Sequence, residues 1–511
     1  MPITSGRFFL AAAGLTLIFR FWLAAALPMT GDEAYFYGWG RQPDWGFYDH
    51  PPMIGWWLAA LLTVSDAAWW LRLPQIVQPL LLALTVRLAW PRLFPQAAGQ
   101  RDAVASLILL ASPFVWNVLV TTDTALVYCA VFSGLAWLRA VRGEESGEAG
   151  VWRWYLLAGL LLAGAVLSKY FAVLLGFSYL VDAARRQRAS AWRGLAIVYA
   201  CCIPALGLMA WWNSGHCWTN YLFNFVNRHS GANTGFNLRT PLLYLVTLLY
   251  VLTPPAVWIL WRKVSECRVT SAESATERSL SLLAAVPLML FALLSFFKTI
   301  GLHWVLSFVP FALLLVVRHG ASGALEKLVR FCAGFAALHV VLFAVLASLP
   351  LETWRSLNVY PSMVLTFDGR QLVERARIGA TLLASDGYSN AAILGYQQRR
   401  HVPVLGPGSG HARHDDILTD WRELDGRDIT VLRKTAPNPG EYDGWFRRVS
   451  IDDFEYRGAR FWVVRGEGFD YASYRDTVLD AIRRQYYAVP AWLPLTGCYF
   501  CDRYFPDRSC R

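Results

Sequence analysis

The sequence predicts a polytopic α-helical membrane protein of about eleven transmembrane helices, followed by a soluble α/β domain at the C-terminal end. Three observations predict it. Of the 511 residues, 56% are hydrophobic and the mean hydropathy is +0.35, too apolar for a soluble chain of this size. Apolar runs of nearly span length recur up to residue 350. Arginine then gathers in alternate loops between those runs, the pattern of a chain threaded back and forth across a bilayer.

The candidate spans are residues 8–28, 69–90, 103–120, 123–141, 153–168, 171–184, 191–212, 240–262, 278–298, 302–318 and 328–350. With the N-terminus in the cytoplasm, the inner loops carry sets such as Arg185, Arg186, Arg188 and Arg193, whereas the first outer loop, 29–68, holds Arg41 against five acids. Eleven spans place the C-terminus outside. The first apolar segment lacks a small-residue cleavage site and reads as a retained span. The net charge of +11 and the 24 tryptophans fit loop bias, anionic lipid and interfacial anchoring; no nucleic-acid motif is present.

The first outer loop contains GDEAYFYGWGRQPDWGFYDHPP, residues 31–52, an acidic and aromatic stretch in an otherwise lipid-like chain. Gly31-Asp32 reads as a helix start with Asp32 as N-cap. Pro51 and Pro52 end an extended piece and open the next helix. That helix, 53–64, is about 18 Å long and too short to span, so it lies in the interface, anchored by Trp56 and Trp57.

Residues 1–350 form the membrane domain and residues 351–511 the outer α/β domain. In the latter, 380–386, 401–407 and 428–434 read as strands, 446–451 and 460–466 as a β pair, and 390–398, 414–424 and 470–487 as helices. Cys498 and Cys501 form a CxxC, which outside the cytoplasm reads as a disulfide more readily than as a zinc site. No metal motif of usual spacing occurs in the membrane part.

Several polar residues stand out because ionisable groups near a bilayer are costly. Asp32 and Glu33 are adjacent, so they diverge by about 100° on a helix and one of them faces a given substrate. Tyr48, Asp49 and His50 are held by the two prolines that follow. Asp123, in TTDTALVY, is a functional acid or the N-cap of its span. Lys169, in LSKY, is a phosphate-binding cation or a snorkelling one; the chain has only five lysines. Arg228 and His229 lie in a polar outer loop, and Lys298 and His303 at another outer junction. All of these map to one side of the membrane, which suits one outward-facing site.

The DE pair followed by DWGFYDHPPMIGWW, with TDTALVY and LSKY after it, resembles bacterial glycosyltransferases of family 39. That family groups with protein O-mannosyltransferases and with aminoarabinose transferases of lipid A. The resemblance covers residues 5–320 and implies a GT-C fold with a large first outer loop. It implies a polyprenyl-phosphate-sugar donor and a glycolipid, glycan or protein acceptor. It places the enzyme in a bacterial inner membrane with its site and C-terminal domain periplasmic. By that resemblance Asp32 is the catalytic base, supported by Glu33 and Asp123. Lys169, Arg228 and His229 bind the donor phosphate, and Tyr48, Asp49, His50, Lys298 and His303 bind substrate. The chemistry is sound from below: a sugar hydroxyl needs a positioned base, and a departing phosphate needs cations more than a proton. A lipid monophosphate carries less charge than a nucleotide diphosphate, so the expectation includes no metal and no cofactor. A transporter or lipid flippase is the competing class, but transporters put charge near the midplane and often in repeats, and this chain shows neither.

Overall fold

The structure is a computed structural model that describes residues 3–227, 235–265, 274–379, 381–407, 413–507 and 510. It divides into two compact units. One comprises Met1–Leu27, Asp66–Gly207 and Ala232–Ala347; the other comprises Pro28–Ser65, Leu208–Gly231 and Ser348–Arg511. The division differs from a single cut at residue 350, because the first outer loop and the 208–231 segment join the C-terminal residues.

All eleven apolar segments fold as helix, but they differ in length. Among the described residues, six helices are long and apolar enough to cross a membrane: Gly6–Ala26, Ala68–Leu93, Thr122–Glu145, Ala189–Gly215, Ala275–Ser295 and Ser322–Ser348. A seventh candidate, Arg239–Leu252 with Pro254–Lys263, is bent by 101°. The bend falls at Thr253, whose φ is +73°, followed by two prolines that cannot continue the backbone ladder. The remaining four segments yield Arg101–Leu110, Trp152–Val166, Ala172–Arg186 and Val309–His319, each of 15 residues or fewer. Fifteen residues extend about 22 Å, short of the hydrocarbon core. In the first of these the apolar run is divided at Ser112-Pro113, where a separate short helix begins. Helix Met53–Leu62 is likewise short and apolar.

Buried arginines join the helices of the membrane unit. Arg20 is fully buried and donates to the carbonyls of Ile76 and Asn117, both at 2.8 Å, and to those of Gln75 and Phe114. Arg72 donates to the carbonyls of Ala24 and Leu27 at 2.8 Å. Arg72 takes carbonyls left free at the C-terminal end of helix Gly6–Ala26, and Pro79, which has no N–H, leaves the Gln75 carbonyl open to Arg20.

The second unit is built on a four-stranded sheet: β1 (Leu382–Ser385), β2 (Ile429–Arg433), β3 (Phe446–Tyr456) and β4 (Ala459–Phe469), in the order β1-β2-β4-β3. β1 pairs parallel with β2, and the other pairs are antiparallel. The β3–β4 hairpin turns on Arg457 and Gly458, at φ +50° and +73°, the backbone that a two-residue primed turn requires. The expected strand at 401–407 reduces to a bridge between Ser385 and Val404. Pro403 accepts from Ser385 but has no N–H to extend the ladder. The core of this unit contains Tyr48, Cys217 and Leu222 beside Val431, Val464 and Phe469. Tyr48, Cys217 and Leu222 are therefore part of the same core as the sheet.

The cysteines correct the reading of the CxxC. Cys498 bonds to Cys217, 281 residues away, and Cys501 bonds to Cys510, so the two cysteines of the motif are not joined to each other. The long-range link joins two segments of the unit that are 281 residues apart in sequence. Substituting Cys217 and Cys498 together by Ser is expected to lower stability by about 2–4 kcal/mol. Thermal unfolding of the detergent-purified pair of proteins checks this, and an unchanged Tm would count against the pairing.

Candidate active site

The candidate residues fall in both units. In the second, helix Gly31–Arg41 starts at Thr30, not at Asp32 as the sequence suggests. The Glu33 carboxylate accepts from the Thr30 N–H at 3.1 Å and from its hydroxyl at 2.9 Å, a capping box. Glu33 is 1% exposed. Asp32 is exposed, and its carboxylate accepts a hydrogen bond from the Tyr388 hydroxyl at 3.3 Å. The two acids therefore separate as their 100° offset requires: one closes the helix end, the other meets solvent. Gly31 allows the close approach of Ser389, whose hydroxyl would have to turn away from a Cβ at that position.

Behind Asp32 lies a buried polar network. Asp49, 1% exposed, accepts from the Tyr35 hydroxyl at 3.3 Å and from Arg413 at 3.4 Å, with His50 Nδ1 also at 3.4 Å. Burial alone would raise the Asp49 pKa, but His50 and then Arg413 outweigh it and hold the carboxyl below its ordinary value. Burial, reinforced by Asp49, pushes the Tyr35 hydroxyl well up, so it remains a donor. The Arg413 guanidinium lies 3.9 Å from the centre of the Tyr388 ring, which links the network to Asp32. Tyr48 is fully buried against Phe223 and Tyr487. Of the three residues expected to contact substrate, Tyr48 and Asp49 are buried in this structure, while His50 keeps 17% of its side chain exposed.

In the membrane unit, Asp123 lies in the first turn of Thr122–Glu145, whose N-cap is Thr121. Lys169 Nζ donates to both Asp123 oxygens, at 2.9 and 2.8 Å. The pair is nearly dry, with the side chains 10% and 12% exposed. Lys169 Nζ also lies 5.5 Å from the Phe171 ring centre, and Phe171 packs on Trp304 at 4.5 Å. Lys298 Nζ lies 5.5 Å from the Trp304 ring centre, and His303 is exposed beside it. Sequence positions 123, 169, 298 and 303 thus gather around one aromatic cluster. Arg228 and His229 lie outside the described residues.

Residues 49–212 match the family described as dolichyl-phosphate-mannose-protein mannosyltransferase. Over 250 residues the chain is 27% identical to the lipid A galacturonosyltransferase RgtD of Rhizobium johnstonii, covering 46% of this chain and 49% of that protein. The alignment thus spans about half the length of that relative. The structure of ArnT from Cupriavidus metallidurans bound to undecaprenyl phosphate matches with a TM-score of 0.61, over 90% of this chain and 98% of that one, at 14% identity. The chain shares the fold of ArnT and is similar in sequence to membrane glycosyltransferases. The apo form of the same ArnT matches at 0.57, with 15% identity, over 89% of this chain and 97% of that one. At such identities the likeness establishes the fold. The family match includes Asp49, Asp123 and Lys169 but not Asp32 or Glu33.

Tyr35, Tyr388, Arg413 and His414 were not legible as site residues in the sequence. Tyr388 and Arg413 meet the first outer loop from more than 350 residues away. The available signal was compositional: 388–414 is dense in Tyr, Arg and His.

Proposed function

We propose that this protein transfers a sugar from a polyprenyl-phosphate donor to an envelope glycolipid or glycan, with inversion, on the periplasmic side of a bacterial inner membrane. The observation that carries the reading is the separation of the DE pair, with Asp32 exposed and Glu33 committed to the helix end. Asp32 takes the proton of the acceptor hydroxyl. The hydroxyl oxygen bonds to the anomeric carbon as the bond from that carbon to the phosphate oxygen breaks, and the lipid phosphate departs with the electron pair. Lys169 and Lys298 neutralise that phosphate, and Asp123 holds Lys169 in place.

Glu33 acts as a positioning residue through the helix start, and Asp49 as a positioning residue through Arg413 and Tyr388. Eleven membrane segments, four of them short, and the N-terminus inside agree with the loop charges. The disulfides at 217, 498, 501 and 510 suit an oxidising outer compartment. The RgtD and ArnT likenesses favour lipid A and undecaprenyl phosphate as the two lipids.

The family match over 49–212 supports a second reading, a protein Ser/Thr acceptor. Deleting the gene and comparing envelope glycolipids and glycoproteins by mass spectrometry tests both. The expected result is one lost sugar mass on lipid A. Loss from a protein favours the second reading, and no loss from either overturns transfer altogether.

A further inference from the structure

A cavity of about 200 Å³ lies within the second unit, between helix Gly31–Arg41 and helix Tyr388–Gln398. We propose that it binds an acidic pyranose of the acceptor, a sugar ring carrying phosphate or carboxylate; this rests on the glycolipid reading above. Three observations carry it.

The walls are aromatic. Tyr37 and Tyr396 meet edge to face at 4.9 Å, and Tyr388 and Trp39 also line the space. Aromatic faces suit the apolar C–H faces of a pyranose, while a lipid chain would leave the polar atoms here unpaired.

The charged groups of the lining favour an anion. Arg41, Arg399 and Arg400 are exposed at the cavity. Arg399 caps the second helix at φ +55°, where glycine is the usual residue, and its guanidinium lies 4.6 Å from the Tyr396 ring centre and 5.9 Å from that of Tyr37. The lining carboxylate, Asp415, is already engaged by His401 at 2.9 Å and by the Val404 N–H at 2.9 Å. A guanidinium fork held on aromatic faces is suited to bidentate contact with phosphate or carboxylate.

The lining also contains His414, 3% exposed, whose Nδ1 is buried with no hydrogen-bond partner among the described residues. Its N–H and ring are placed by the same network: its backbone N–H donates to Tyr35 at 3.2 Å. Tyr388 connects the cavity to Asp32, so an acceptor seated there reaches the exposed acid's neighbourhood through one shared side chain. The volume is below the roughly 300–1,000 Å³ of pockets for whole drug-sized ligands, which fits one ring with its substituent.

The test uses the full detergent-purified chain and three probes: lipid A with both phosphates, enzymatically dephosphorylated lipid A, and inorganic phosphate. Arg399→Ala is expected to raise the KM for phosphorylated lipid A about 10- to 100-fold while kcat stays within a few-fold. Its binding of dephosphorylated lipid A should be unchanged. Tyr37→Ala removes an aromatic wall and should weaken the binding of both lipids. An Arg399→Ala protein with wild-type Tm and wild-type KM overturns the cavity assignment and leaves the transferase reading intact. Inorganic phosphate that binds as tightly as phosphorylated lipid A also overturns it, since the sugar would then add nothing. A wild-type chain that transfers no sugar to either lipid overturns the glycolipid reading and this site with it.

Discussion

Asp32→Asn is expected to lower kcat about 10²- to 10⁴-fold, the usual contribution of a positioned general base. Asparagine still accepts from Tyr388, so helix Gly31–Arg41 and its packing should persist and the Tm should hold. The decisive comparison is with the neighbouring acid. Glu33→Gln preserves a capping box, because glutamine serves at that position as well as glutamate does. It should therefore retain most of the rate. Glu33→Ala should cost about 1 kcal/mol of stability through the lost cap and change the chemical step little. Single-turnover transfer from a polyprenyl-phosphate sugar reads the rate, and thermal unfolding reads the cap. If Glu33→Gln falls as far as Asp32→Asn, Glu33 is more than a cap and the division of roles fails; if Glu33→Gln alone falls, the assignment of the two acids is reversed.

The second large effect is expected at Lys169. Lys169→Met removes a cation from the departing phosphate and leaves Asp123 buried without its partner. The first loss should cost about 10²- to 10³-fold in kcat, by analogy with loss of one charge-stabilising group in other transfer reactions. The second should cost about 3–5 kcal/mol of stability, because breaking a dry ion pair strands a charge. The double variant Asp123→Asn with Lys169→Met separates the two roles. It removes the stranded charge, so much of the stability should return while the rate stays low. A double variant that recovers both Tm and rate would make the pair purely structural and end the phosphate role.

The helices were legible because each apolar run announces itself within its own residues, and all eleven runs are helical. Their lengths were less legible. Ser112-Pro113 and Thr253 with two prolines break apolar stretches that hydropathy alone joins. The β1, β2 and β3–β4 strands followed from local patterning, and the 401–407 strand failed at Pro403 for want of an N–H. The acids and lysines of the site were legible as residue types in costly places. Their division of labour was not. Whether Glu33 or Asp32 faces solvent depends on Thr30 three residues earlier, and whether Lys169 stands free depends on Asp123 forty-six residues away.

The sequence by itself determined that this is a membrane protein of many helices, with an acidic aromatic first loop and an α/β region after Pro350. Those properties reside in composition, periodicity and local backbone chemistry. Only the tertiary structure decided that the first loop shares a core with the C-terminal sheet, that Cys498 takes Cys217 and not Cys501, and that Tyr388 and Arg413 reach Asp32 and Asp49. Each of these is a contact between residues far apart in the chain. Such contacts are fixed by how whole elements pack and leave no spacing to read.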